Sequence, residues 1–174
     1  LKRRTLFFLT GFLLLGGLMF YTLWEKPVYG NDKDSIVKVI HSIEGYENRS
    51  IKILEIKDFD EWRYTAFLAD HSPGYVEFQK NKNGNYRWKH LEVAEGETFA
   101  SFDLFDQKLV YVTNDENEIA RMEVEINGEK VQRQFTPNKE TVTWAELPLN
   151  DEQEYTFRNY RYYDQEGNTI SEFE

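Results

Sequence analysis

The sequence has no cysteine. Disulfides, catalytic thiols, zinc–thiolate sites and a lipidated-cysteine anchor are therefore excluded. Histidine is scarce, at 3 residues, and proline occurs only 4 times. No G-x-S-x-G elbow, H-E-x-x-H pair or glycine-rich phosphate loop is present. Ser72 stands directly beside His71, without the separation that a folded triad requires. Asp58, Asp60 and Glu61, and likewise Asn114, Asp115 and Glu116, cluster oxygens without the ligand spacing of a calcium loop, and they read as turns. The sequence thus nominates no catalytic residue, no metal site and no cofactor.

Charge is missing from one long run, residues 5–24, which are mostly Leu, Phe and Gly. Twenty residues at a helical rise of about 1.5 Å span roughly 30 Å, the thickness of a bilayer's hydrocarbon core. Lys2, Arg3 and Arg4 precede the run, and Glu25 is the first charge after it. The positive-inside rule then leaves the N-terminus in the cytoplasm and the body outside. Tyr21 and Trp24 suit the outer interface. The expectation is a single-pass membrane anchor with the cell membrane as partner through residues 5–24. Secretion after cleavage near Gly30 is the alternative, because Val28-Tyr29-Gly30 offers small residues where a signal peptidase reads. Gly11, Gly16 and Gly17 lack the spacing that pairs membrane helices tightly.

Beyond the run, charge of one sign dominates. Three of the 21 basic residues precede it, leaving 18 against all 31 acidic ones, a net of −13. Such a body repels phosphate, so no nucleic acid is expected as partner, and the net charge argues against anionic lipid headgroups too.

Ile36, Val39, Ile40 and Ile43 recur at helical spacing, which predicts a helix over 32–44. Aromatic and branched residues then predict strands over 51–57, 61–69, 75–80 and 86–93, with a turn at Ser72-Pro73-Gly74. Asn83-Gly84, read as a two-residue hairpin loop, pairs Lys80 with Arg87, Phe78 with Lys89, Val76 with Leu91, Glu77 with His90 and Gln79 with Trp88. From residue 99 only strands follow. Asn127-Gly128 sets Val124 opposite Val131 and Glu125 opposite Lys130, with apolar residues on one side and charges on the other. The expected class is α+β: an N-terminal transmembrane helix, one short helix with an antiparallel sheet of cystatin- or NTF2-like outline, and a C-terminal small all-β sandwich. The expected units are 1–24 (cytoplasmic stub and anchor), 25–31 (linker), 32–97 (α+β) and 98–174 (sandwich). The last is short for its fold, which leaves a core shared between the two halves as an alternative.

The candidate ligand-binding strip is Tyr75, Glu77, Gln79, Tyr86, Trp88 and His90. That pairing makes an aromatic surface with polar edges, the chemistry that sugars and peptides use. Burial of the same strip beneath the C-terminal strands is the competing reading. His90 beside Glu77 is a possible acid–base pair with no nucleophile next to it. His41 lies off the helix stripe and reads as exposed.

A short basic start, one uncleaved apolar helix and the segments Gly74-Tyr75-Val76-Glu77-Phe78, Asn83-Gly84-Asn85-Tyr86-Arg87-Trp88 and Tyr163-Asp164-Gln165-Glu166-Gly167-Asn168 resemble small single-pass anchored extracytoplasmic proteins of Bacillus-type Gram-positive bacteria. The resemblance implies an envelope location and supplies no catalytic residues. The expected function is a membrane-anchored extracytoplasmic binding or accessory module without catalytic activity, with a protein or glycan partner in the envelope. A structural or regulatory subunit of a membrane complex is the alternative, and a carbohydrate-active hydrolase using acidic residues stands third.

Overall fold

The computed structural model describes residues 28–104, 107–148 and 154–170. The single helix among these residues, α1 (Lys33–His41), begins at a reciprocal cap. The Ser35 N–H donates to the Asp32 carboxylate at 2.9 Å, and the Asp32 N–H donates to the Ser35 hydroxyl at 2.9 Å. Two N–H groups left unpaired by helix geometry are thereby satisfied. The helix stops at His41, short of the expected residue 44, where the Ser42 hydroxyl donates to the Val39 carbonyl at 2.7 Å. His41 is half-buried, with Nε2 3.0 Å from the Arg49 carbonyl oxygen.

Four strands follow as an antiparallel meander: β1 (Ile51–Phe59), β2 (Trp62–Ala69), β3 (Ser72–Lys80) and β4 (Tyr86–Val93). The β2–β3 turn is Asp70-His71, with φ of 49° and 74°, the left-handed pair of a tight hairpin. Ser72-Pro73-Gly74 therefore belongs to β3 and not to the expected turn. At the β3–β4 end, Asn81 closes a loop one residue longer than expected. Its side-chain carbonyl accepts from the N–H groups of Asn83 and Asn85 at 2.9 and 3.0 Å. Lys80 consequently faces Tyr86, Gln79 faces Arg87 and Phe78 faces Trp88. A bulge next to Phe78 then absorbs the extra residue, and Glu77 meets His90 and Val76 meets Leu91.

The remaining strands alternate between two further sheets. Strands β5 (Phe99–Leu104) and β6 (Lys108–Thr113) join β9 (Thr141–Glu146) in order β5-β6-β9. Strands β7 (Arg121–Ile126), β8 (Glu129–Gln134), β10 (Phe157–Tyr163) and β11 (Thr169–Ile170) form a sheet in order β11-β10-β7-β8. The β7–β8 hairpin turns on Asn127-Gly128, pairing Val124 with Val131 and Glu125 with Lys130.

Three apolar clusters hold the layers together. Ile36, Val39 and Ile40 of α1 pack on Phe67, Val76 and Phe78 of the first sheet. The opposite face of that sheet, with Tyr64, Ala66, Leu68 and Tyr75, packs on Ala100, Phe102, Leu104, Val110 and Val112 of the β5-β6-β9 sheet. Phe99, Leu109 and Tyr111 turn the other way and meet Met122, Val124 and Ile126. The middle sheet is covered on both faces, so β6 is apolar and buried almost throughout instead of alternating.

The expected class is therefore corrected. The described residues form a predominantly β body with one short helix and three antiparallel sheets, in place of an α+β unit beside a separate sandwich. The physical reason is that both faces of the first sheet are apolar, and the helix covers only one of them. The transmembrane helix in the expected class is corrected as well, for the described residues. At nine residues, α1 measures about 14 Å, and no helix among the described residues is long and apolar enough to cross a membrane. Residues 5–24, with Lys2, Arg3, Arg4, Tyr21 and Trp24 in and around them, lie outside the described residues.

Candidate functional site

The six residues of the expected strip do not share one surface. Because the bulge falls between Trp88 and His90, β4 presents Tyr86 and Trp88 to the helix side and His90 to the side of the middle sheet. Tyr86 is buried in the helix-side cluster, whereas Trp88 is 41% exposed. Tyr75 is buried, its ring centroid 5.0 Å from that of Phe102 and 5.7 Å from His90. Glu77 lies opposite His90 on this second side, and Gln79, two residues along the same face, is opposite Trp62. Partial burial pushes the Glu77 carboxyl above the usual glutamate range, against the opposing pull of His90 and Lys89. Burial likewise raises Asp103, with Glu92 adding repulsion. His90 also stands 3.6 Å from Glu92. The structure thus brings together Tyr75, Glu77 and His90, and sends Tyr86 and Trp88 elsewhere.

Tyr86 belongs to a clamp on the N-terminal side of the body. The Gly30 N–H donates to the Tyr86 carbonyl at 2.8 Å, and the Tyr86 N–H donates to the Asn31 side chain at 2.9 Å. Arg63 donates to the carbonyl oxygens of Gly30 and Asn31 at 3.0 and 2.8 Å, and to both oxygens of Asp58 at 2.7 and 2.8 Å. Its guanidinium also covers the Tyr86 ring. The Arg63 guanidinium holds the Asp58 carboxyl below the usual aspartate range. Residues 30–31, part of the expected linker, are therefore fastened to the sheet.

The outer face of the β11-β10-β7-β8 sheet carries a concavity of about 500 Å³, lined by Glu123, Glu125, Lys130, Gln132, Asn159 and Arg161 among others. Strand β10 shapes it. Its register slips between Arg158 and Arg161, and Asn159 adopts φ 57°. This bulge turns Asn159 outward, where its amide donates to Glu125 at 2.9 Å. The aromatic row Phe157, Tyr160 and Tyr162 still faces inward on the third cluster. The charged side of the Asn127-Gly128 hairpin is visible in the sequence as alternation. The β10 side of the concavity is not, because a bulge has no fixed sequence signature.

A smaller cavity of about 220 Å³ opens where β1 meets β6 and β9. Lys57 Nζ lies 5.2 Å from the ring centroids of both Phe59 and Trp144, and Lys108 Nζ lies 5.2 Å from that of Phe59. The Trp144 indole N–H donates to Glu55 at 2.8 Å. These contacts knit the first sheet to the second.

Among the described residues, no three His, Asp or Glu side chains are grouped to hold a metal ion. The concavity on the outer sheet offers donors from Lys130 and Arg161, acceptors from Glu123 and Glu125, and amides from Gln132 and Asn159. That inventory suits recognition of a polar, extended partner. No family model, curated protein or solved structure matches the chain.

Proposed function

We propose that the protein is a binding or accessory module that works on the outer side of the cell membrane, attached to it through residues 5–24, and that it engages a protein partner without turning over a substrate. The observation that carries this reading is the polar concavity on the outer sheet. It mixes donors and acceptors at fixed strand positions, and β8 at its margin ends the described sheet with an open backbone edge. An extended polypeptide laid there gains main-chain hydrogen bonds from the edge and side-chain contacts from the concavity. The uncharged run at residues 5–24 and its three preceding cations support the location.

A photo-crosslinking side chain placed at Gln132 in the full chain tests the reading in intact cells. One discrete adduct is expected, lost when Arg161→Glu reverses the charge across the concavity and retained when an unrelated exposed residue such as Lys33 is changed. Absence of any adduct, or one indifferent to Arg161→Glu, overturns it. So does turnover of an envelope substrate that disappears in Glu77→Ala or His90→Ala.

A further inference from the structure

We propose that the β3–β4 hairpin, residues 80–90, is a second contact surface whose occupant is the lipid headgroup layer. In a chain of net charge −10, this stretch holds Lys80, Lys82, Arg87 and Lys89 and not one acidic residue. All four cations are exposed, and Trp88 stands among them. Trp88 and Val28, 41% and 43% exposed, are the large apolar side chains left in solvent among the described residues. Each is two positions from the hydrogen bond that joins the Gly30 N–H to the Tyr86 carbonyl. The exposed apolar surface is thus gathered where the chain enters the body.

Chain length fixes what can cover it. Only four residue steps separate Trp24 from Val28, a reach of at most about 14 Å. The clamp of Gly30, Asn31 and Arg63 onto Tyr86 and Asp58 makes the hairpin and that entry point one rigid unit. If residues 5–24 attach the chain to a membrane, on which this inference rests, the hairpin is held at the lipid surface. An indole ring with a polar edge is stable there, and lysine and arginine meet anionic headgroups.

The net negative charge of the body argues the other way only at long range. Charges more than about 8–10 Å apart are largely screened at physiological salt. Among nearby carboxylates, Asp58 is bonded by Arg63 and Tyr86, and Asp32 caps α1. Glu61, whose backbone carbonyl accepts from the Lys80 N–H, and Asp60 beside it in the β1–β2 turn are exposed and offset two of the four cations. The outer concavity lies two sheet layers away and stays free for its partner.

The test uses the full chain in vesicles. Because the sequence has no cysteine, Asn83→Cys and Gln132→Cys each carry a single fluorophore. Lipids spin-labelled at the headgroup are expected to quench the label at position 83 by at least half in vesicles containing phosphatidylglycerol, and to leave position 132 unquenched. Combining Asn83→Cys with Arg87→Glu, Lys89→Glu and Trp88→Ser is expected to abolish that quenching while the protein still floats with the vesicles. Floating protein with position 83 unquenched overturns this inference alone. Protein that does not float overturns the attachment and this inference together.

Discussion

The Arg63 guanidinium lies 3.9 Å from the centroid of the Tyr86 ring while donating to both oxygens of Asp58. With its remaining N–H groups it reaches the carbonyls of Gly30 and Asn31. One side chain, 14% exposed, therefore joins three segments distant in sequence. Arg63→Ala removes the fork and leaves Asp58 without its cation, at an expected loss of about 2–4 kcal/mol. Arg63→Lys restores the charge but not the planar fork, and is expected to recover less than half. Urea unfolding of the full chain in mild detergent measures both.

The same pair sets a pH dependence. Hydrogen bonding from Arg63 is the leading cause of the lowered Asp58 pKa. The folded state thus binds that proton less tightly than the unfolded chain. The stabilisation is fully present above the ordinary aspartate range and is lost as pH falls through the depressed folded value. Asp58→Asn is expected to unfold more easily than wild type at pH 7. The gap should narrow in acid, as wild type loses what the variant never had. A constant gap across the titration would contradict the assignment.

Gly30 is buried, and a methyl group at its Cα would overlap the ring of Phe78, itself fully buried. Gly30→Ala is expected to cost about 1–3 kcal/mol through overpacking. It should also open the chain near residue 28 to limited proteolysis, since the same residue donates to Tyr86. A stability change without a change in cleavage would show that the clamp does not depend on that packing.

Phe102 and Tyr75 touch across the first and second sheets, one from each half of the chain. Phe102→Ala is expected to cost about 3–5 kcal/mol. Denaturation should be followed through single tryptophans, Trp88 reporting the first sheet and Trp144 the second. Coincident midpoints are expected in wild type and variant alike, because the second cluster is common property. Separate midpoints would mean that the halves fold independently.

Local rules in the sequence carried some of this fold and not the rest. Asn31 or Asp32 before an apolar stripe marks the helix start, and Asn127-Gly128 sets the β7–β8 register, because both signals act within a few residues. The β3–β4 register is readable only in part. Asn81 recruits a longer loop through its own side chain, and a bulge repairs the offset before Glu77 and His90 meet. Alternation shows which residues share a face, but not what covers that face. The class was missed there. Tyr64, Ala66 and Tyr75 share one side of the first sheet, and nothing local says that Phe102 and Val110 lie on them. The return of the chain to the middle sheet at β9, after the β7–β8 hairpin has left it, is a long-range pairing with no turn to announce it. The concavity on the outer sheet depends on Asn159 leaving the regular pleat, and Trp88 falls apart from Tyr75 for a similar reason.

The claim on which the functional reading stands is that the body faces the outside of the cell. A single cysteine introduced as Glu118→Cys, at an exposed position outside the concavity, tests it with a membrane-impermeant maleimide. The account predicts labelling in intact cells as complete as in lysed ones. Labelling that appears only after lysis would place the body in the cytoplasm and contradict it.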